Sequence, residues 1–360
     1  MELRHLWLTD FRGYHEADVS FDPGLTAVVG PNGQGKTNLL EAIGYLAMLG
    51  SFRGAPNEAL IRVGAERAVI RAEATRAERS LLLEAELVAG GRNRAQLNRQ
   101  PLRRARDLLG ALRVTVFSPD DLVLVKGSPG ARRSYLDDVL VSLHPRYDQL
   151  RSDLDKVLRQ RGALLKQSGG RLGDDIALTL DVFDAKLVTA GEALAEARRT
   201  LVADLNPVLS NAYDQVARTS ADVRATYDPP WAADGLAAAL AAARRDDLRR
   251  GVSTVGPHRD ELELELGGLP ARTHASQGEQ RSLALALRLG AHHVVTAASD
   301  AAPVLLLDDV FSELDPDRSD ALLRSLPEGQ AILSTASGLP PGAVPGAVLE
   351  VREGTVRARD

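Results

Sequence analysis

The order of apolar and polar residues predicts β-strands towards both ends of the chain and helices in its middle. Short apolar runs or period-two alternation predict strands at residues 1–8, 25–29, 112–117, 261–266, 303–308 and 331–335. Apolar residues spaced three and four apart predict helices at residues 37–49, 132–143, 146–166, 176–206, 236–249 and 279–298. Alternating segments at 69–97 around Gly90-Gly91 predict an antiparallel hairpin, and a second, smaller hairpin is predicted at 348–356.

This pattern predicts an α/β protein with a helical insertion. Strands alternate with helices in the first and last parts of the chain, which favours a largely parallel sheet. We therefore assign residues 1–117 to the N-terminal part of an α/β head, 118–250 to an inserted helical domain, and 251–360 to the C-terminal part of the head. A long heptad repeat is absent, so any coiled-coil arm is expected to be short.

The composition limits the possible classes of protein. A chain of 360 residues is long enough for two or three packed units, and the absence of cysteine excludes disulfides and thiolate zinc sites. Glu2, Arg4 and Asp10 place charges of both signs in the N-terminal segment, so it is not expected to be a signal peptide. Since no window approaches the roughly 20 apolar residues of a membrane span, we expect a cytoplasmic protein that does not contact membranes.

Charge is unevenly distributed along the chain. The formal net charge is −5, which argues against a protein that coats DNA through a uniformly basic surface. One short stretch nevertheless carries Arg92, Arg94, Arg99, Arg103, Arg104 and Arg106 before the first acid, Asp107. The sequence leaves two interpretations open, a solvated surface and a contact with the phosphate backbone of DNA.

Residues 30–37, GPNGQGKT, fit the phosphate-loop pattern GxxxxGK[ST] at every position. Glycines allow the backbone to wrap closely around phosphates, and the following helix directs its positive end at the same anion. Lys36 is expected to contact the β- and γ-phosphates of ATP, while Thr37 supplies a hydroxyl to Mg²⁺. The remaining predicted nucleotide contacts are Gly30, Asn32, Gly33, Gly35 and Asn38.

Two carboxylates, Asp308 and Asp309, stand at the C-terminal end of the predicted strand at 303–308. Ligands bind at the carboxyl ends of strands in open α/β sheets. Asp308 is therefore predicted to hold Mg²⁺, directly or through water, and Asp309 to polarise the attacking water as a general base. The alternative is an ordinary strand end at which an aspartate caps the next helix.

Ser276, Gln277 and Gly278 precede a long predicted helix. A serine hydroxyl and backbone N–H groups at a helix N-terminus suit a γ-phosphate. Ser276 with Glu279 three residues later is equally a capping box, which needs no ligand. The segment SELD at 312–315 shortly follows the two aspartates.

Taken in order, these motifs resemble those of ABC-type ATPases, and the whole chain resembles the RecF family of DNA replication and repair proteins. The resemblance rests on LTDFRGY at 8–14, GQGKTNLLEAI at 33–43, FSPDDL at 117–122, KGSP at 126–129, the arginine pair at 132–133, GPHRD at 256–260 and SQGEQ at 276–280. Residues 150–245 show helical pattern alone.

The resemblance implies an ATPase head that pairs with a second copy when ATP binds. It also implies binding to DNA, both double-stranded and at single/double-strand junctions, and action with RecO- and RecR-like mediators at single-strand gaps. By the same resemblance, Lys36, Ser276, Asp308 and Asp309 are catalytic and Arg12 contributes to nucleotide binding.

Departures from the ABC pattern imply slow hydrolysis. Asp309 stands where a longer glutamate is usual, and Gln277 where transporters usually have glycine. The switch histidine of transporters is replaced around Thr335-Ala336, and no glutamine is an evident sensor.

Two other classes of protein stay open at this point. A transporter nucleotide-binding subunit is opposed by the large insertion and by the segment 256–260. A DNA-binding scaffold with a relict site is opposed by the intact Lys36 and Asp308. For His258 and Arg259, packing of the helical domain and a role at the nucleotide or an interface stay equally open.

Overall fold

A computed structural model describes residues 1–359 of the chain. Its strands are β1 Glu2–Phe11, β2 Tyr14–Ser20, β3 Leu25–Val29, β4 Arg67–Arg76, β5 Arg79–Val88, β6 Arg94–Leu97, β7 Gln100–Pro101, β8 Val114–Phe117, β9 Val223–Thr226, β10 Glu263–Leu266, β11 Leu269–Pro270, β12 Val304–Asp308, β13 Ala331–Thr335, β14 Ala347–Arg352 and β15 Thr355–Arg359. Its helices are α1 Lys36–Met48, α2 Val123–Lys126, α3 Pro129–Leu143, α4 Arg146–Gln167, α5 Asp174–Ala217, α6 Leu236–Arg250, α7 Ala271–His274, α8 Gln277–Ala297 and α9 Pro316–Ser325.

The chain divides into two compact units. The first contains Met1–Leu122, Val208–Ala221 and Ser276–Asp360, and the second contains Val123–Pro207 and Asp222–Ala275. This division differs from the expected insertion at 118–250, because the second unit continues to residue 275 and part of α5 belongs to the first. The reason is a small sheet in the second unit, in which β10 pairs with β9 on one side and β11 on the other.

The first unit contains the predicted parallel sheet. Its strand order is β15-β14-β3-β13-β12-β8, and all neighbours are parallel except the closing β14–β15 hairpin. The register pairs Asp308 of β12 with Ser334 of β13, and Thr335 of β13 with Val29 of β3. The carboxyl ends of these strands therefore meet at one edge of the sheet, beside the start of α1.

A second sheet in this unit is antiparallel, in the order β2-β1-β4-β5-β6-β7. The single hairpin expected at 69–97 is in fact three strands, because the chain also turns at Ala77 and Glu78. Both residues have positive φ, 44° and 66°, in a two-residue hairpin turn that usually takes asparagine or glycine. Inward-facing residues of this sheet join α1 in one core, which includes Leu3, Leu6, Leu8, Leu39, Leu40, Ile43, Ile70 and Leu83.

A buried arginine organises the helices of the second unit. Arg161 of α4 is fully buried and donates to Asp184 of α5, to Asp247 of α6 and to the Ser253 hydroxyl, each within 2.8 Å. Removing one partner of such a group leaves an uncompensated buried charge, so the cluster fixes the relative positions of three helices. None of the helices within residues 1–359 is both long and apolar enough to cross a membrane.

Helix α8 of the first unit is held by two side chains. Arg288 forms an ion pair with Asp121 at 2.6 Å, and a ring nitrogen of His292 lies 3.0 Å from the Thr115 hydroxyl. His292 is almost completely buried, and this burial lowers its pKa from 6.5 to about 4. The ring is therefore neutral in the folded protein at neutral pH.

We expect His292 to make the protein sensitive to acid. In the unfolded chain His292 binds a proton below pH 6.5, but in the folded chain it does so only near pH 4. The stability contributed by the neutral, buried ring is therefore complete above pH 6.5 and is lost as the pH falls from 6.5 towards 4. The loss should reach about 2 kcal/mol by pH 5. Denaturant unfolding at pH 7 and pH 5 measures it. Between pH 7 and pH 5, the free energy of unfolding should fall less for His292→Gln than for the wild type. For the exposed His274→Gln it should fall as much as for the wild type. Equal falls in all three proteins would contradict this assignment.

Candidate functional site

The glycines of the segment 30–37 are required by its backbone. The segment connects β3 to α1, and Gly30, Gly33 and Gly35 have φ of 151°, 78° and 114°. A Cβ on Gly30 would lie 2.3 Å from the Val351 carbonyl oxygen, and one on Gly35 would lie 3.0 Å from the Tyr14 hydroxyl. Residues of neighbouring strands therefore leave no room for a side chain at Gly30 or Gly35. At Gly33 a Cβ would have no atom within 4 Å.

The N-terminus of α1 is suited to an anion. Its N-cap residue is Gly35, which offers no side-chain cap, and its first turn contains no acidic residue. The first backbone N–H groups of a helix have no partner within the helix, and they carry the positive end of its dipole. A phosphate group could satisfy these donors.

Lys36 is buried at the start of this helix and directs its ammonium group back into the loop. Its Nζ donates to the Pro31 carbonyl at 2.8 Å. Burial lowers the pKa of Lys36, and the nearby carboxylates of Asp309 and Asp308 oppose that change. The ammonium group and both carboxylates thus belong to one electrostatic cluster.

Asp308 lies at the centre of the cluster. Its Oδ1 accepts hydrogen bonds from Thr37 Oγ1 at 2.8 Å and from Ser334 Oγ at 2.7 Å. The side chain is almost completely buried, and this raises its pKa while the two hydroxyl donors lower it. A buried carboxylate requires a positive partner, and Mg²⁺ prefers oxygen ligands such as these.

The protein offers few further ligands for a metal. Residues 1–359 contain no group of three or more histidine or acidic side chains that could hold one. A magnesium ion here would therefore complete its shell with water and phosphate oxygens, as is usual for this ion. The Thr37 hydroxyl and the Asp308 carboxylate fit that requirement.

Asp309 has a carboxylate oxygen to which no group in residues 1–359 donates a hydrogen bond. Its φ is 49°, and its N–H donates to the Ser334 hydroxyl at 3.1 Å. Its Oδ1 is buried without a hydrogen-bond partner among residues 1–359. A buried carboxylate oxygen of this kind can accept a hydrogen bond from a water molecule or a ligand.

Arg12 is tied to the phosphate-loop helix. Its Nε and Nη2 donate to the two carboxylate oxygens of Glu41 on α1, both at 2.8 Å, and its Nη1 donates to the Ala59 carbonyl at 2.9 Å. These bonds position α1, so the expected contact between Arg12 and nucleotide stays a prediction. Asn32 is exposed and Asn38 half-buried at the same loop.

The segment 276–278 begins helix α8, as expected. Ser276 is the N-cap, and both hydrogen bonds of the capping box with Glu279 are present. Hydrogen bonds to its carboxylate from the Ser276 hydroxyl and from the Ser276 N–H hold the pKa of Glu279 below its ordinary value. The same hydroxyl accepts the Glu279 N–H at 3.3 Å, so a bound phosphate would require its hydrogen to turn from the Glu279 carboxylate to the ligand. Ser276 and Gln277 are exposed.

Two arginines connect this helix to the segment that follows Asp309. Arg281 forms an ion pair with Glu313 at 2.9 Å. Arg318 donates to Asp315, and its guanidinium lies over Gly278, where a Cβ would be 2.6 Å from both terminal nitrogens. Arg318 is not among the residues predicted from the sequence, where its position three residues after Asp315 is the signal for it.

His258 and Arg259 lie in the second unit and share one acceptor. His258 Nε2 lies 3.0 Å from the Ser253 carbonyl oxygen, to which Arg259 also donates through Nε and Nη2. The following Asp260 is buried and accepts from Tyr227 and Trp231. Asp260 therefore packs within the second unit, whereas Arg259 is exposed and the two roles expected for His258 and Arg259 stay predictions.

The parallel sheet, the phosphate loop and the strand ending in two aspartates define an ABC-type P-loop ATPase head. Residues 2–335 match the family described as RecF/RecN/SMC N terminal domain. The chain belongs to the RecF family: it is 46% identical to the DNA replication and repair protein RecF of Streptomyces avermitilis, over 99% of both chains.

Further relatives agree with this assignment. Identity with the RecF protein of Kineococcus radiotolerans is 45%, over 94% of this chain and 93% of the relative. Among solved structures, the recombination mediator protein RecF-ATPrS of the RecFOR pathway superposes with a TM-score of 0.91 at 27% identity, over 99% of this chain and 98% of that one. The ABC-type head predicted from the sequence is thereby confirmed.

We predict that Gly30→Ala destabilises the fold more than Gly24→Ala does. Both glycines have positive φ. A Cβ on Gly30 would collide with a backbone carbonyl, whereas a Cβ on Gly24 would have no atom within 4 Å. Left-handed strain alone costs about 1–2 kcal/mol, and forced overpacking adds about 1–3 kcal/mol. Denaturant unfolding of the two variants measures the difference. Similar losses would mean that the strand behind the loop does not constrain it.

Proposed function

We propose that the chain is an ATP-dependent DNA-binding protein of recombinational repair and replication restart. ATP joins two copies on DNA, and slow hydrolysis separates them. The observation that carries this proposal is the buried Asp308, which joins the phosphate loop, through Thr37, to the strand ends of an ABC-type head. The named RecF relatives supply the cellular context.

In the proposed half-site, the loop and α1 hold the triphosphate. Backbone N–H groups of the loop and the helix surround the phosphates, and Lys36 moves its ammonium group from the Pro31 carbonyl to the β- and γ-phosphates. Thr37 and Asp308 would hold Mg²⁺, which would supply positive charge to the phosphate oxygens. The other proposed contacts are made by Gly30, Asn32, Gly33, Gly35, Asn38 and Arg12.

The second half of each site comes from the other copy. Ser276 donates its hydroxyl, and Gln277 and Gly278 direct backbone N–H groups, towards the γ-phosphate bound by the partner. In support, this helix N-terminus faces solvent in the single chain. Because neither copy completes the site alone, ATP favours the dimer and the dimer favours ATP by the same free energy.

Hydrolysis is assigned to Asp309. Its unpartnered, buried Oδ1 accepts a hydrogen bond from the attacking water and withdraws its proton. An aspartate is shorter than the glutamate usual at this position, which agrees with slow turnover. In the same proposal, DNA stimulates this slow turnover.

The proposed partners follow from the resemblance. DNA lies across the dimer and is held mainly by phosphate contacts, at duplexes and single/double-strand junctions. RecO- and RecR-like mediators then help to load recombinase at the gap. The solved relative belongs to the RecFOR pathway, which supports this assignment.

Mixing two inactive variants tests the shared site. Lys36→Ala lacks a working phosphate loop, and Ser276→Arg blocks the opposing helix. A mixed dimer combines the intact loop of one with the intact Ser276 of the other, so one complete site re-forms. We expect ATP turnover and ATP-dependent light scattering from the mixture but from neither variant alone.

The controls separate folding from assembly. Ser276→Arg should still bind ATP as a monomer, because its own phosphate loop is intact. If it dimerises normally with ATP, or if the mixture stays inactive while wild-type protein turns over, the arrangement between two copies is wrong.

Asp309→Asn should prolong the ATP-bound dimer. The amide keeps the shape of the side chain and tolerates the left-handed backbone, but it cannot accept the proton. We expect turnover to fall by roughly 10²-fold or more while ATP still induces dimerisation. Phosphate release and light scattering measure the two effects, with the exposed Asp317→Asn as the matched control. Undiminished turnover would exclude Asp309 as the base.

A further inference from the structure

The first unit carries a concentrated positive charge that the nucleotide site does not use. Between Gly90 and Leu108 the chain has six arginines and one acid, Asp107, in a protein whose net charge is −5. Strands β6 and β7 and the turns around them present most of these arginines to solvent. We call the exposed set formed by Arg92, Arg94, Arg99 and Arg103 the arginine hairpin.

The fold brings distant members of this set together. Arg92 Nη2 donates to the Arg103 carbonyl at 3.1 Å, and the Leu102 N–H donates to the Ala95 carbonyl at 2.9 Å. Arg92 and Arg103 therefore lie together at the base of the hairpin, and Arg99 lies at its tip. Arg103 is four positions along the chain from Arg99, so the two Cα atoms are at most about 13 Å apart.

Internal acids neutralise only part of this charge. Arg104 forms an ion pair with Asp107, and Arg94 reaches Glu86 only at 3.7 Å with its side chain 78% exposed. Arg99 and Arg103 have no acidic partner within residues 1–359. Like charges held this close repel one another, so an external polyanion would relieve an unfavourable interaction.

The tip has an unusual backbone as well. Asn98 and Arg99 form a two-residue turn with φ of 53° and 64°, and the second position of such a turn favours glycine. Glu78 occupies the same position in the β4–β5 turn, with φ of 66°. Strain by itself therefore does not indicate binding, and charge is what distinguishes the β6–β7 tip.

We propose that the arginine hairpin binds the phosphate backbone of double-stranded DNA. Duplex DNA presents about one negative charge per 1.7 Å of its axis, so the length of the hairpin faces several phosphates. Arginine matches phosphate with paired N–H donors, and contacts of this kind position DNA without reading its sequence. This inference rests on the proposed DNA-binding function and assigns that function to a surface.

Fluorescence anisotropy with a labelled duplex, in ATP and Mg²⁺ over about 50 to 200 mM salt, tests the assignment. Arg99→Gln/Arg103→Gln should weaken binding by at least about tenfold at the lowest salt. The slope of log affinity against log salt should fall by about 2, one for each phosphate contact removed. Arg79→Gln, which removes another exposed arginine of the same sheet, should change neither quantity. ATP-dependent light scattering should be unaltered in every variant.

A pair of glycine substitutions separates charge from folding. Arg99→Gly and Glu78→Gly relieve the same left-handed conformation, so both should raise Tm by about 2 °C. Only Arg99→Gly should weaken DNA binding. The loss should equal that of Arg99→Gln, which removes the same charge but keeps the strained backbone. A role in folding alone would instead make DNA affinity follow Tm.

The outcomes distinguish the inference from the function on which it rests. If wild-type protein binds the duplex and the double variant retains its affinity and salt slope, the arginine hairpin is not the DNA surface, and the proposed function stands. If wild-type protein shows no salt-dependent binding to the duplex, the proposed DNA-binding function fails and the hairpin assignment fails with it.

Discussion

Two hydroxyl groups donate to one carboxylate oxygen of Asp308, and this arrangement brings together three segments that are far apart in the sequence. Thr37 lies in the first turn of the phosphate-loop helix, 271 residues before Asp308, and Ser334 is the penultimate residue of the neighbouring strand, 26 residues after it. The parallel register makes the meeting possible, because it pairs Asp308 with Ser334 and places β3 on the other side of β13. A register shift of one residue in β12 or β13 would turn Asp308 or Ser334 to the opposite face of the sheet.

Much of this arrangement is predictable because local and global signals agree. Strands β3 and β13 have the predicted bounds, and the glycines of the loop are required by positive φ, as the motif implies. The order of strands and helices is enough to place the carboxyl ends of parallel strands at one edge. The contact of Ser334 with Asp308 could not be predicted in this way, because it depends on β13 lying next to β12, which no local pattern specifies.

The features that the sequence did not predict depend on contacts between distant residues. Strand β9 has only four residues in a helical region, and its pairing with β10 gives the second unit its sheet. The turn at Ala77-Glu78 lacks the glycine that would have indicated it. Helix α5 extends well past the predicted residue 206 and contains Pro207, which a local interpretation takes as a helix end.

Charge at the two half-sites gives a physical reason for a glycine in the second. The capping box places the Glu279 carboxylate at the N-terminus of α8, where by itself it would repel a triphosphate. Arg318 offsets that charge because its guanidinium lies over residue 278, held there by Asp315. Any side chain at 278 would displace the guanidinium. In the proposed dimer, Arg318 of α9 would thus lie beside the helix N-terminus that faces the partner's γ-phosphate, with Asp315 as its ion-pair partner.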